Sequence, residues 1–166
     1  MKLRPFALAV FCFCALEGTV GRAQDRAVPT IFDFVQLWLA KEHNIVRDQP
    51  PPQIVAMSYD QLYFRRFGTM EGADGATVEA LYDAESDTIF VSDNWSGGSI
   101  ADLSVLVHEM VHHLQAKSGW IHACPAEREK LAYQVQDEFL QMFGQSLQST
   151  FNIDPALILV ATSCLH

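Results

Sequence analysis

Hydrophobic positions recur along the chain in two periods, and the switches between them mark its elements. Ile31, Phe34, Val35, Trp38 and Leu39 follow helical spacing, which predicts an amphipathic helix over Ile31–His43 with one face on a core. Asp48-Gln49-Pro50-Pro51-Pro52 breaks it, because proline lacks the donor a helix needs, and Gln53–Met57 then reads as a short strand. Tyr59–Phe67 predicts one or two helical turns closed by Gly68, and Gly72 and Gly75 mark a loop. Thr77–Tyr82 and Thr88–Ser92 read as the strands of a hairpin around the polar turn Asp83–Asp87.

After the loop from Asp93 to Gly98, Ser99 with Asp102 three residues on has the form of a capping box. It opens a helix to about Ser118, with Gly119 as its stop signal. Pro125 at a first helical turn opens another over Ala126–Phe143, and Asp154-Pro155 starts a short apolar one, Ala156–Ala161. No repeat, low-complexity segment or second boundary appears. The pattern predicts one α+β domain: a small sheet with a β-hairpin packed on the Ser99 helix, followed by a second long helix.

The N-terminus stands apart from this pattern. Met1-Lys2-Leu3-Arg4 is a basic start, Phe6–Leu16 is an apolar run, and Gly21-Arg22-Ala23 offers small residues where a signal peptidase reads. Residues 1–23 are therefore expected to be a signal peptide cleaved after Ala23, leaving 24–166 as a secreted or periplasmic domain with no stable membrane insertion. The apolar run falls short of the roughly 20 residues a spanning helix needs. Bulky Phe11 and Phe13 before Cys12 and Cys14 argue against a lipoprotein site.

With 49% apolar and 19% charged residues, the composition excludes a disordered or collagen-like chain. The formal charge is −9, and loss of Lys2, Arg4, Arg22 and Glu17 with the signal takes it to −11. So acidic a surface repels nucleic acid and anionic lipid; it is compatible with basic or neutral substrates, and simple solubility of an exported protein accounts for it more directly. Cys124 and Cys164 alone outlast signal cleavage, and in an oxidising compartment they are expected to pair.

The chemistry lies in His108-Glu109-Met110-Val111-His112, an HExxH motif on the Ser99 helix. Histidines four apart share a helix face, so both imidazoles can reach one Zn²⁺ at about 2.0–2.1 Å. Glu109, roughly 100° round the axis from its neighbours, is placed for the activated water rather than the metal, which is where a general base stands. The apolar neighbours Leu103, Leu106, Val107, Met110, Val111 and Leu114 predict that this helix is buried. His113 points elsewhere, as a residue behind the site or in solvent. A third ligand is expected from the next helix, where Glu127 and Glu129 are both candidates about 200° apart. Glu129 shares its face with Ala132, Tyr133 and Gln136, and the small Ala132 lets two helices approach, which favours Glu129.

His108-Glu109-Met110-Val111-His112 followed by Glu129-Lys130-Leu131-Ala132 resembles the gluzincin branch of the zincin metallopeptidases. It is also similar to short exported bacterial proteins of undefined function that carry this motif pair. The resemblance covers mainly Thr77–Phe143. It implies a zinc-dependent peptidase with His108, His112 and Glu129 as ligands, Glu109 as catalytic base and a peptide or protein as substrate. It further implies that Thr88–Ser92 is the edge strand that holds an extended peptide. The chain departs from thermolysin-like enzymes in carrying Tyr133 where they place an aspartate, and it has no metzincin third histidine. Tyr133, His113 and His122 are candidates for the group that stabilises the transition state. No pro-domain is visible, so narrow substrate choice or low activity is expected.

Two rival readings remain open: an exported zinc-binding, non-catalytic interaction module closed by a fourth ligand such as His122 or His113, and a metal-free packing domain. The aromatic set Tyr59, Tyr63, Phe64 and Phe67 reads as core. Arg65-Arg66 is too short for a nucleic-acid patch. Trp95 either lines a cleft mouth or plugs the hairpin.

Overall fold

The computed structural model describes residues 30–45, 49–73 and 78–164. The expected signal peptide 1–23 with Cys12 and Cys14, Gly75 and the predicted strand start at Thr77 lie outside them. Among the described residues the order is α1 (Ile31–Glu42), β1 (Gln53–Met57), α2 (Tyr59–Phe67), β2 (Ala80–Asp83), β3 (Thr88–Ser92), α3 (Ile100–Lys117), α4 (Pro125–Gln141), α5 (Leu147–Phe151) and α6 (Pro155–Ala161). This is the small α+β single domain that the pattern predicts.

Local chemistry sets the helix ends. Thr30 with Asp33, and Ser58 with Gln61, form reciprocal capping boxes that open α1 and α2. At α3 the Ser99 side chain accepts the Asp102 N–H, while the Asp102 carboxylate takes the backbone N–H and hydroxyl of Ser96. That ties the preceding loop to the helix. Gly119, at φ 65°, ends α3 in the left-handed conformation. The short α5 has a signal that periodicity does not reveal, the reciprocal pair Ser146–Ser149 across its first turn.

The three strands run in the order β1-β3-β2, with β1 parallel and β2 antiparallel to β3. This corrects the expectation that Thr88–Ser92 is an edge strand. β1 pairs along the whole of β3 from Gln53↔Thr88 to Met57↔Ser92, so both sides of β3 are used and β1 and β2 are the two edges. A second correction concerns α2. Leu62 and Tyr63 are buried, but Phe64 turns outward, and Phe67, although its ring packs on Tyr63 at the helix end, is left half exposed rather than in the core.

The core is built on α3, in which every residue from Ser104 to Gln115 is buried. Val107, Met110, Val111 and Leu114 pack with Val35 and Leu39 of α1, Ile89 and Val91 of β3, and Ala132, Val135 and Phe139 of α4. A helix enclosed on all sides can afford polar residues only where each meets a partner. Trp95 acts as a plug: its Nε1 donates to the Asp102 carbonyl at 2.9 Å, and its ring lies where a Cβ on Gly97 would come within 2.8 Å. Cys124 and Cys164 are disulfide-bonded, fastening the end of the chain to the start of α4. No helix among the described residues is long and apolar enough to cross a membrane.

Candidate metal centre

The polar exceptions in α3 converge. His108 and His112 lie one turn apart, and α4 runs antiparallel beside them, so residues pair in descending order: His108 with Gln136, His112 with Glu129 and Gln115 with Arg128. Ala132, fully buried between these contacts, lets the two helices lie close. The two Nε2 atoms are 3.2 Å apart, and Glu129 Oε2 lies 3.2 Å from His108 and 3.1 Å from His112. A tetrahedral ion with bonds of about 2.0–2.1 Å needs donors about 3.3 Å apart. The triangle is therefore the size of one face of such a site, and these three residues could hold a metal ion.

The ring tautomers suit this. Gln115 Nε2 donates to the Arg128 carbonyl at 3.1 Å, and a carbonyl can only accept. The Gln115 oxygen therefore faces His112 Nδ1 at 3.1 Å, and that nitrogen must carry the proton. His112 Nε2 is left with its lone pair toward the triangle. Gln136 does the same for His108, accepting at Nδ1 over 3.0 Å while its amide donates to Ser104 Oγ at 3.3 Å. Ser104 in turn donates to the Ala101 carbonyl. Two amide-oriented imidazoles aimed at one carboxylate form a donor set for a cation.

Charge balance agrees. Burial pushes the Glu129 carboxyl upward, but the hydrogen bonds and charge of His108 and His112 outweigh it and hold the group far below the usual carboxylate range. Burial lowers His112, yet the Glu129 hydrogen bond and the charges of Glu109 and Glu129 raise it overall. A metal ion bound there would compete with protons for the same three donors.

Glu127 is not in this group. It sits in the first turn of α4 with its carboxylate accepting the Ala123 N–H at 2.5 Å, an acid that steadies the helix start. His113 is fully buried, not solvated: it faces away from the triangle, with Nδ1 3.0 Å from Asp87 Oδ1 and its ring edge-on to Tyr82. His122 stands beside Trp120 on a neighbouring cavity. Tyr133 does reach the site, its ring edge-on to His108 with centroids 4.8 Å apart. Burial and the charge of Glu129 raise its phenol, keeping it a donor at neutral pH.

A family model described as Domain of unknown function (DUF6647) matches residues 24–166. The chain belongs to the DUF6647 family. No curated protein and no solved structure matches it.

In this DUF6647 chain the triangle opens on a cavity of about 500 Å³ between α3, α4, α2 and the edge strand β2. Glu109 lines it with His108, His112 and Glu129. An adjoining cavity of about 510 Å³ continues past His112 to Trp120 and His122. Gln115, Gln136, Arg66 and Arg128 are participants that motif reading does not assign. The first two carry a positional signal: Gln115 is three residues after His112, and Gln136 is seven after Glu129, both on the ligand's own helix face.

Proposed function

We propose that this DUF6647 domain is an exported zinc-dependent peptidase. The observation that carries the reading is a three-donor face on the wall of an open cavity, with Glu109 on the same wall. Structural zinc sites close with four protein ligands, whereas catalytic ones keep a position open. Neither His113 nor His122 joins the three donors, which favours the catalytic form over a closed interaction module. A zinc ion held by His108, His112 and Glu129 would supply a Lewis acid that lowers the pKa of water and polarises a carbonyl.

The chain's own residues do the rest. Gln115 and Gln136 fix the imidazoles, so the donor triangle does not have to reorganise. Glu109, 7% exposed, accepts the proton of the attacking water and returns it to the leaving amine. Tyr133 stands ready to donate to the oxygen that gains charge. β2, an edge strand that lines the cavity, is placed to pair with an extended peptide. Export is supported by the Cys124–Cys164 disulfide, by the basic and apolar N-terminus, and by a family match that starts directly after Ala23.

Elemental analysis of the purified protein, with a His112→Ala control, tests the metal. One zinc per chain, lost in the control, is expected; none before or after reconstitution would leave a packing domain. A Glu109→Gln variant should retain zinc and lose peptide hydrolysis.

A further inference from the structure

The charge of the cleft runs against that of the chain. All three arginines among the described residues, Arg65, Arg66 and Arg128, line the cavity of the donor triangle, although the whole sequence carries −9. Arg65 is committed: it is ion-paired to Asp83 and lies 4.1 Å over the Phe90 ring. The other two converge on one atom. Arg128 Nε is 3.4 Å and Arg66 Nη2 is 3.8 Å from Glu129 Oε1, the oxygen turned away from the histidines. One carboxylate oxygen cannot satisfy two guanidiniums with five N–H donors each. Both side chains are nearly half exposed, at 45% and 43%, so their remaining donors are accessible from the cavity. With Arg65 neutralised by Asp83, the other two arginines face three cavity glutamates, Glu79, Glu109 and Glu129. A divalent ion in the triangle would tip that balance to the cationic side.

Resting on the peptidase reading above, we propose that the cleft selects peptides bearing a carboxylate close to the scissile bond, clamped by Arg66 and Arg128. This differs from the basic or neutral substrates that net charge alone allows. The guanidiniums sit against a ligand carboxylate, so the clamped group lies within about two residues of the metal in an extended chain rising about 3.3 Å per residue. The carboxylate can belong to an Asp or Glu side chain or to the peptide's own C-terminus. Planar guanidiniums take such a group bidentately, and the acidic remainder of the surface keeps competing anions off other faces.

The test uses the full protein as Glu109→Gln, incubated with zinc, and fluorescein-labelled hexapeptide pools. One fixed position is Asp, Asn or Lys, and each pool is made with a free or an amidated C-terminus. Anisotropy should show acidic pools binding at least tenfold tighter than Asn pools, with Lys pools weakest. Asp-amide against Asn-acid pools separates the side-chain from the terminal carboxylate. Arg66→Gln/Arg128→Gln should erase the difference. Equal affinities, no measurable binding of the acidic pools, or a preference that survives in the double variant overturns the proposal. Hydrolysis by the wild-type protein is read separately. Anion preference without any cleavage would sink the peptidase reading and leave the clamp, and cleavage without preference would do the reverse.

Discussion

Gln115 holds His112 from behind: its amide oxygen lies 3.1 Å from His112 Nδ1 while its nitrogen is anchored on the Arg128 carbonyl of the facing helix. One side chain thereby fixes the ring tautomer and ties α3 to the turn that carries Glu129. Gln115→Leu preserves much of the volume but removes both bonds, so zinc affinity should fall about 10–100-fold. A chelator-competition titration reads this directly. Unchanged affinity would mean that the imidazole is oriented by packing alone.

Tyr133 is the one candidate for transition-state stabilisation that lines the cavity beside His108. Its phenol is kept protonated by burial and by the nearby carboxylates, so it can donate at neutral and mildly alkaline pH. Tyr133→Phe should lower kcat by about a hundredfold with KM and zinc content nearly unchanged. A loss confined to KM would instead make the ring part of the binding wall.

The elements and the site differ in how far the sequence discloses them. α1, α2, β1 and β3 lie within a residue of their predicted bounds because periodicity and stop signals such as Gly68 act locally. The HExxH spacing and the choice of Glu129 were legible because a helix fixes which residues share a face. Strand order was not: β1 joins β3 across a connection whose partner no local signal names. The arginine clamp was hidden for the same reason, since Arg66 and Arg128 meet only through the packing of α2 and α4 about the cavity. Phe64 and Phe67 show the converse limit. Apolar character alone does not tell which face of a short helix is covered.

Asp87 ties the hairpin to α3, accepting from Tyr82 Oη at 2.9 Å, His113 Nδ1 at 3.0 Å and Lys117 Nζ at 2.7 Å. Burial raises its carboxyl, but the Lys117 and Tyr82 hydrogen bonds and the His113 and Lys117 charges outweigh it and depress it overall. A group whose folded pKa is depressed stabilises above its unfolded value, about 3.9 for aspartate, and loses that contribution as pH falls through the folded value. Asp87→Asn, tolerated at φ 51°, should cost about 1 kcal/mol at pH 7. Its urea-unfolding curve should converge with the wild type below about pH 4. A constant difference down to pH 2 would rule out the charge as the source.

The disulfide spans 40 residues and joins the residue before α4 to the segment after α6. Closing a loop of that size stabilises by about 4 kcal/mol in the chain-entropy model. Cys124→Ser/Cys164→Ser should therefore lower the thermal midpoint by roughly ten degrees, and reduction of the wild type should match it. Since Glu129 lies in the second turn after Cys124, zinc affinity measured well below the midpoint tests whether α4 keeps its place. Retained affinity is expected, because Ala132, Val135 and Phe139 hold α4 in the core independently of the bond.

Metal and fold should be linked through the same three donors. His112 Nε2, His108 Nε2 and Glu129 Oε2 face one another within 3.2 Å. A ligand that binds only the folded state stabilises it by about 2.7 kcal/mol at a free concentration a hundred times its Kd. Zinc should thus raise the thermal midpoint of the wild type progressively, and a chelator should reverse the shift. His112→Ala should show no such rise. The size of the shift should shrink as pH falls, because protons on the imidazoles compete with the metal. A midpoint indifferent to zinc at pH 7, with His112 intact, would count against a metal centre at this site.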